Sequence, residues 1–210
     1  MDSMIVMATV FAIFIPALML PGPDFVAVVR SSMKHGSWSG MMTSLGVSCG
    51  LGLYATLSLL GLSAILVEYQ WLAWAVRVLG GCYLIYLGIR LVLTRPQSLD
   101  IDGPGGRPGG NPLIFGFLVT LTNPKAIVLF ASVFATAVTA TTPFWLMASM
   151  IALVFASSLT WYCMVSLFMS SEPVIAKFRD AQHWIERSAG ACFMAIGGRI
   201  LVSSRNPLTP

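Results

Sequence analysis

Two short segments place a charge and helix-breaking residues together inside apolar sequence: Pro21-Gly22-Pro23-Asp24 and Asn123-Pro124-Lys125. Proline removes a backbone donor and interrupts a helix. At membrane depth the freed backbone groups are tolerated only where they face protein or a water-filled cavity. Pro23 and Asp24 read as the start of a second half-helix, whose positive dipole end suits a carboxylate. Lys125 falls about 12 residues into its helix, ~18 Å along a ~30 Å hydrocarbon core, where snorkelling is difficult and an unpaired ammonium costs several kcal/mol. Asp24 is the one carboxylate inside the expected spans, so the two charges are expected to approach each other. A zwitterionic ligand could exchange with the pair, its ammonium meeting Asp24 and its carboxylate meeting Lys125. Asp24, if buried, could also carry a proton. Two plainer readings stand beside these: a kink with Asp24 near the interface, six residues before Arg30, and a purely structural ion pair.

Other patterns offer no bond-making chemistry. Gly46-Val47-Ser48-Cys49-Gly50 has the Gly-x-Ser-x-Gly spacing of a serine nucleophile, but a serine hydrolase needs a histidine base facing it. The two histidines, His35 and His183, both fall outside the expected membrane core. Cys49, Cys82, Cys163 and Cys192 lie in apolar helices without metal-ligand spacing, so they read as reduced packing residues. No phosphate loop, dinucleotide fingerprint or zinc motif is present. The expectation is a protein that is not an enzyme, with no cofactor, no metal and no nucleic-acid partner.

The elements that must position these charges follow from composition. Charged residues make up 10% of the 210 residues, hydrophobic ones 57%, and the mean hydropathy is +0.83. An ordinary soluble domain carries roughly 25% charge, so this is an all-α integral membrane protein. Gly36–Val67 and Ala126–Ser171 carry no charge at all, and the latter divides at Thr141-Thr142-Pro143. Six membrane helices result, at about 4–35, 38–66, 70–93, 113–138, 143–169 and 186–204. The first and fourth are broken at the Pro motifs, and the first stops at Gly36 after Arg30, Lys34 and His35. Residues 94–112 form a Gly/Pro-rich linker between repeat one (1–93) and repeat two (113–210) of a single transmembrane domain. Glu172–Arg187 alternates apolar and charged residues and reads as an amphipathic interfacial helix leading into the last span.

The first, third and fifth connections hold eight basic residues, among them Arg30, Arg90 and Lys177. The positive-inside rule puts these connections in the cytoplasm and both termini on the periplasmic side. Trp38, Trp71, Trp74, Trp145 and Trp184 lie near span ends and suit the aromatic belt, whereas Trp161 reads as packing. Arg77 reads as snorkelling outward. Gly46 and Gly50 suit close helix approach and a possible homodimer.

A shift of 101 residues lays Pro23-Asp24 on Pro124-Lys125, and a shift of 109 lays Gly81, Gly88 and Arg90 on Gly190, Gly197 and Arg199. Each half has three spans, so two like halves must cross the bilayer in opposite senses. That is the inverted repeat of many secondary transporters.

The segment from Pro21 to Leu62, PGPDFVAVVRSSMKHGSWSGMMTSLGVSCGLGLYATLSLLGL, resembles the N-terminal half of the LysE/RhtB-type amino-acid exporters of bacteria. RVLGGCYLIYLGIRLV is similar to their third span, with Arg77 where the family often has lysine, and FGFLVTLTNPKAIVLFASVF is similar to their fourth. The resemblance implies a transporter of the bacterial inner membrane that exports amino acids or related metabolites, driven by the proton gradient. Its motif positions here are Pro21, Gly22, Pro23, Asp24, Asn123, Pro124 and Lys125. The competing readings are a passive metabolite channel and a non-catalytic membrane subunit.

Overall fold

The computed structural model describes residues 3–68, 70–93, 110–137, 142–168 and 172–204. Among these residues it contains seven α-helices and no strand: α1 (Ser3–Met19), α2 (Pro23–Glu68), α3 (Gln70–Leu93), α4 (Pro112–Leu121), α5 (Pro124–Ala137), α6 (Phe144–Phe168) and α7 (Glu172–Ser203). Most of the 94–112 linker and the side chain of Arg77 lie outside the described residues.

Both Pro motifs fall between helices. Leu20, Pro21 and Gly22 separate α1 from α2, and Thr122 and Asn123 separate α4 from α5. Pro23 and Pro124 each open a helix, the position where a missing N–H is no loss. Both starts close in the same way. Val26 N–H donates to the Gly22 carbonyl at 2.9 Å, and Ile127 N–H donates to the Asn123 carbonyl at 3.2 Å. The bend between α4 and α5 is 58°.

Helix α2 folds back on itself at Gly36, whose φ of 82° and ψ of 165° are open essentially to glycine alone. Thr43 donates to Ser31 Oγ at 2.9 Å, although the two are 12 positions apart. On a straight helix that spacing would separate them by ~18 Å. The arms 23–35 and 37–68 therefore run side by side, and the first expected helix does end at Gly36. A buried hydroxyl cluster joins the arms to the end of α6: Ser32 donates to the Ser166 carbonyl at 2.7 Å, and Ser166 to the Ser37 carbonyl at 3.1 Å. Elsewhere Ser44, Ser48, Thr56 and Thr160 satisfy their hydroxyls on the carbonyl four residues back. Helices rich in hydroxyls can thus face an apolar surround.

By length and composition alone three segments are apolar enough to cross a membrane, Pro23–Gly61 (which contains the reversal at Gly36), Trp74–Leu93 and Phe144–Phe168, and the bent pair α4–α5 makes a fourth. Helix α1 is apolar but has 17 residues, because it stops at the Pro motif. Helix α7 joins the expected amphipathic segment to the expected last span. The segment expected to lie at the interface continues without a break into the last helix. Ile175, Phe178, Gln182, Glu186, Ala189 and Phe193 form one buried stripe along it. Phe178 stacks on Phe25 with ring centroids 4.8 Å apart. Protein covers that stripe, and the first arm of α2 supplies an aromatic partner for it.

Glycine sets the closest helix crossings. A Cβ on Gly88 would lie 2.6 Å from the Gly190 carbonyl oxygen, and one on Gly197 would lie 2.8 Å from that of Gly81, so α3 and α7 touch backbone to backbone. Gly46 and Gly116 bring the second arm of α2 and α4 closer still.

Candidate substrate site between two helix breaks

Asp24 opens the first arm of α2 and is buried, with 6% of its surface exposed. Its carboxylate points into the break of the other broken helix. Oδ1 accepts from Thr120 Oγ1 at 3.0 Å, and Oδ2 accepts from Asn123 Nδ2 at 3.0 Å. Asn123 is held in that orientation because its Oδ1 accepts the backbone N–H of Lys125 at 3.1 Å. One side chain thus caps α5 and donates to Asp24. Each hydrogen bond to an ionised group is worth about 1.5–3 kcal/mol.

Lys125 makes the reverse reach. It stands in the first turn of α5, and its ammonium lies over Gly22 in the break between α1 and α2, where a Cβ on Gly22 would be 3.7 Å from Nζ. That is the C-terminal end of α1, whose dipole favours a cation. Asp24 and Lys125 therefore line one cavity together, as anticipated, along with Gly22 and Asn123. The carboxylate oxygens, however, are engaged by Thr120 and Asn123 rather than by the ammonium. Pro21 is half-buried, and Pro23 and Pro124 are exposed. The prolines shape the breaks without lining the cavity.

The rest of the wall is apolar. Phe14, Leu18 and Leu20 come from the α1 end, Phe25 and Leu51 from the two arms of α2, and Leu129 and Phe130 from α5. Tyr162 of α6 adds one hydroxyl. The cavity volume is ≈ 30 Å³, space for a water or two and less than any amino acid needs. Leu18 separates it from a larger apolar groove of ≈ 710 Å³ between α1 and α6.

Four participants escaped the sequence reading. Thr120 sits in the last turn of α4, three residues before Asn123. Tyr54 donates to the Leu121 carbonyl at 2.8 Å and so covers the end of α4. Glu186 corrects the expectation that Asp24 is alone: it is buried, accepts from Gln182 Nε2 at 2.7 Å, and its charge and that of Asp24 both act on Lys125. The signal for Gln182 and Glu186 was the spacing of 175, 178, 182, 186 and 189, which places both on one helix face.

The sequence model of a family described as LysE type translocator matches residues 15–204. The chain belongs to this family. Its members are translocators, so the chain is a membrane transporter and not an enzyme. The threonine efflux protein of Escherichia coli (strain K12) is 31% identical over 202 residues, covering 93% of this chain and 97% of that protein. The threonine efflux protein of Salmonella typhimurium is 31% identical over 204 residues, covering 95% and 99%. A leucine efflux protein of Enterobacter sp. (strain 638) is 31% identical over 120 residues, covering 56% of each chain. No solved structure matches the chain. The matched region spans both helix breaks and every residue lining the cavity except Phe14.

Proposed function

We propose that this LysE type translocator is a secondary transporter that exports amino acids with neutral, largely apolar side chains across the bacterial inner membrane, coupled to protons. The observation that carries the reading is the reciprocal placement of Asp24 and Lys125 at two helix breaks around one cavity. A zwitterion fits such a site. Its carboxylate would meet Lys125, and its ammonium would meet the free lone pairs of Asp24, each of whose oxygens accepts one hydrogen bond and can accept another. The apolar wall has no counter-charge for a third charge on the substrate. The relatives named for threonine and leucine efflux agree with a neutral side chain.

Proline breaks at equivalent places support an inverted repeat of two three-helix halves. So do the glycine contacts between α3 and α7. With Gly81 equivalent to Gly190 and Gly88 to Gly197, the contact of Gly88 with Gly190 and that of Gly81 with Gly197 exchange under a two-fold axis. The cavity is too small for its substrate in this arrangement, so transport requires the helices around it to move apart. Opening would move α1 or its neighbours about the Leu18 partition. The basic first, third and fifth connections favour both termini in the periplasm.

Export from cells overproducing the protein, fed a panel of dipeptides, tests the proposal. Extracellular leucine, valine, methionine or threonine should rise above the level reached with Lys125→Ala, and an uncoupler should abolish the difference. Equal extracellular levels for every amino acid would overturn it.

A further inference from the structure

We infer that Thr120 is the positioning residue that lets Asp24 gain and lose a proton without losing a hydrogen-bond partner. This rests on the proton-coupled reading of the same site. Thr120 is fully buried and has one hydroxyl hydrogen with two acceptors in reach: Asp24 Oδ1 at 3.0 Å and the Gly116 carbonyl at 3.2 Å. It can donate to either, and its lone pairs can also accept. Its methyl side faces the second arm of α2. A Cβ on Gly50 would lie 2.8 Å from both Thr120 Cβ and Cγ2, so the second arm of α2 packs closely against the methyl side of Thr120 only because residue 50 is glycine.

The second oxygen of Asp24 has no such freedom. Asn123 presents its amide nitrogen to Oδ2 because its own oxygen is taken by Lys125 N–H. An amide nitrogen donates and cannot accept. A proton arriving on Asp24 therefore belongs on Oδ1, where Thr120 can receive it. In the ionised state Thr120 donates to Oδ1. When a proton from water bonds to Oδ1, that O–H donates to Thr120 Oγ1, and the threonine hydrogen turns to the Gly116 carbonyl. One O–H bond forms on Asp24 and no other covalent bond changes. Release reverses the step. Each state thus keeps every donor matched, and the α4 backbone carries a hydrogen bond that reports the proton.

The other ionisable groups facing Asp24 differ from Thr120 in position. Lys125 comes from α5, Tyr54 from the second arm of α2 and Tyr162 from α6, while Glu186 of α7 acts on Lys125. The Tyr54 hydroxyl is committed to the Leu121 carbonyl. Helices α1 and α4 carry no ionisable group, and Arg90 of α3 is exposed.

Infrared difference spectra of the purified full-length protein during a pH titration test this, with Asp24→Asn as the reference that identifies the Asp24 carboxyl band. Thr120→Ser should titrate like wild type. Thr120→Val keeps the shape and removes the hydroxyl. Its carboxyl band should move to higher frequency, and its titration should move alkaline by about one pH unit, a tenfold gain in proton affinity, because a donor to the charged form is lost. Should Thr120→Val fail to fold, wild-type protein labelled with 13C in the glycine carbonyls gives a second readout. A labelled amide band should shift with the Asp24 titration and stay fixed in Asp24→Asn. A folded Thr120→Val with wild-type frequency and midpoint, or a labelled band that never moves while Asp24 titrates, overturns the role of Thr120 and leaves proton coupling standing. A wild-type protein without any Asp24 carboxyl band across the titration overturns proton coupling at Asp24, and the role of Thr120 with it.

Discussion

Asn123 donates through Nδ2 to Asp24 Oδ2 at 3.0 Å, tying together two helix breaks that lie 99 positions apart in the chain. The same side chain accepts the Lys125 N–H, so the site's anion, its cation and the start of α5 share one residue. Asn123→Ala removes a donor to an ionised group, about 1.5–3 kcal/mol. Export at equal membrane levels should fall roughly tenfold or more. Asn123→Asp should fall further, since it sets a second carboxylate against Asp24. Initial efflux rates with immunoblot-matched protein check both.

The reversal at Gly36 makes a stability prediction. Its φ of 82° penalises any residue with a Cβ, although nothing stands within 4 Å to clash. Gly36→Ala should cost on the order of 1–2 kcal/mol through backbone strain alone and lower the thermal unfolding temperature in detergent. Gly61→Ala is the control: it also meets nothing within 4 Å, and its φ is not positive. If both melt alike, the turned-back arrangement of α2 is wrong.

The crossing of α3 and α7 should be intolerant of volume. A Cβ on Gly88 would meet the Gly190 carbonyl oxygen at 2.6 Å, a backbone atom that cannot rotate away. Gly88→Val should separate the helices and cost roughly 3 kcal/mol or more, in the range of severe overpacking. Gly198→Ala, with open space around it, should be neutral. Yield of monodisperse protein and unfolding temperature distinguish the two.

Topology is open to a direct test. Periplasmic termini predict that alkaline phosphatase fused after residue 210 is active and that green fluorescent protein fused there is dark. A fusion within the 94–112 linker should behave in the opposite way. The reverse pattern would invert the assignment drawn from the basic connections.

Much of the candidate site's geometry follows local signals in the chain. A proline, a glycine and a charge within two turns mark a helix break wherever the surroundings are apolar, and scarcity of charge marks those surroundings. Both breaks appear between helices where the two motifs stand, and Asp24, Asn123, Lys125 and Gly22 share the cavity. The sequence could not say what covers the apolar face of Glu172–Arg187, because an amphipathic helix can lay that face on lipid or on protein. The periodicity is the same in both cases. Only the stack of Phe178 on Phe25 decides for protein. Glu186 was overlooked for the same reason, since a carboxylate followed by Arg187 and Ser188 looks like solvent-facing sequence until its face is assigned.

The chain alone determined that this is a membrane protein of apolar helices, and it pointed to two Pro motifs, one beside an acid and one beside a lysine. These follow from composition, spacing and backbone chemistry, which need no knowledge of neighbours. The tertiary structure decided which groups satisfy those charges. Thr120 and Asn123 hold Asp24, Gly22 lies beneath Lys125, and Gln182 and Glu186 turn inward. Such pairings join residues up to about a hundred positions apart and depend on which helix faces meet. That is set by where glycine lets two backbones touch, as between Gly88 and Gly190.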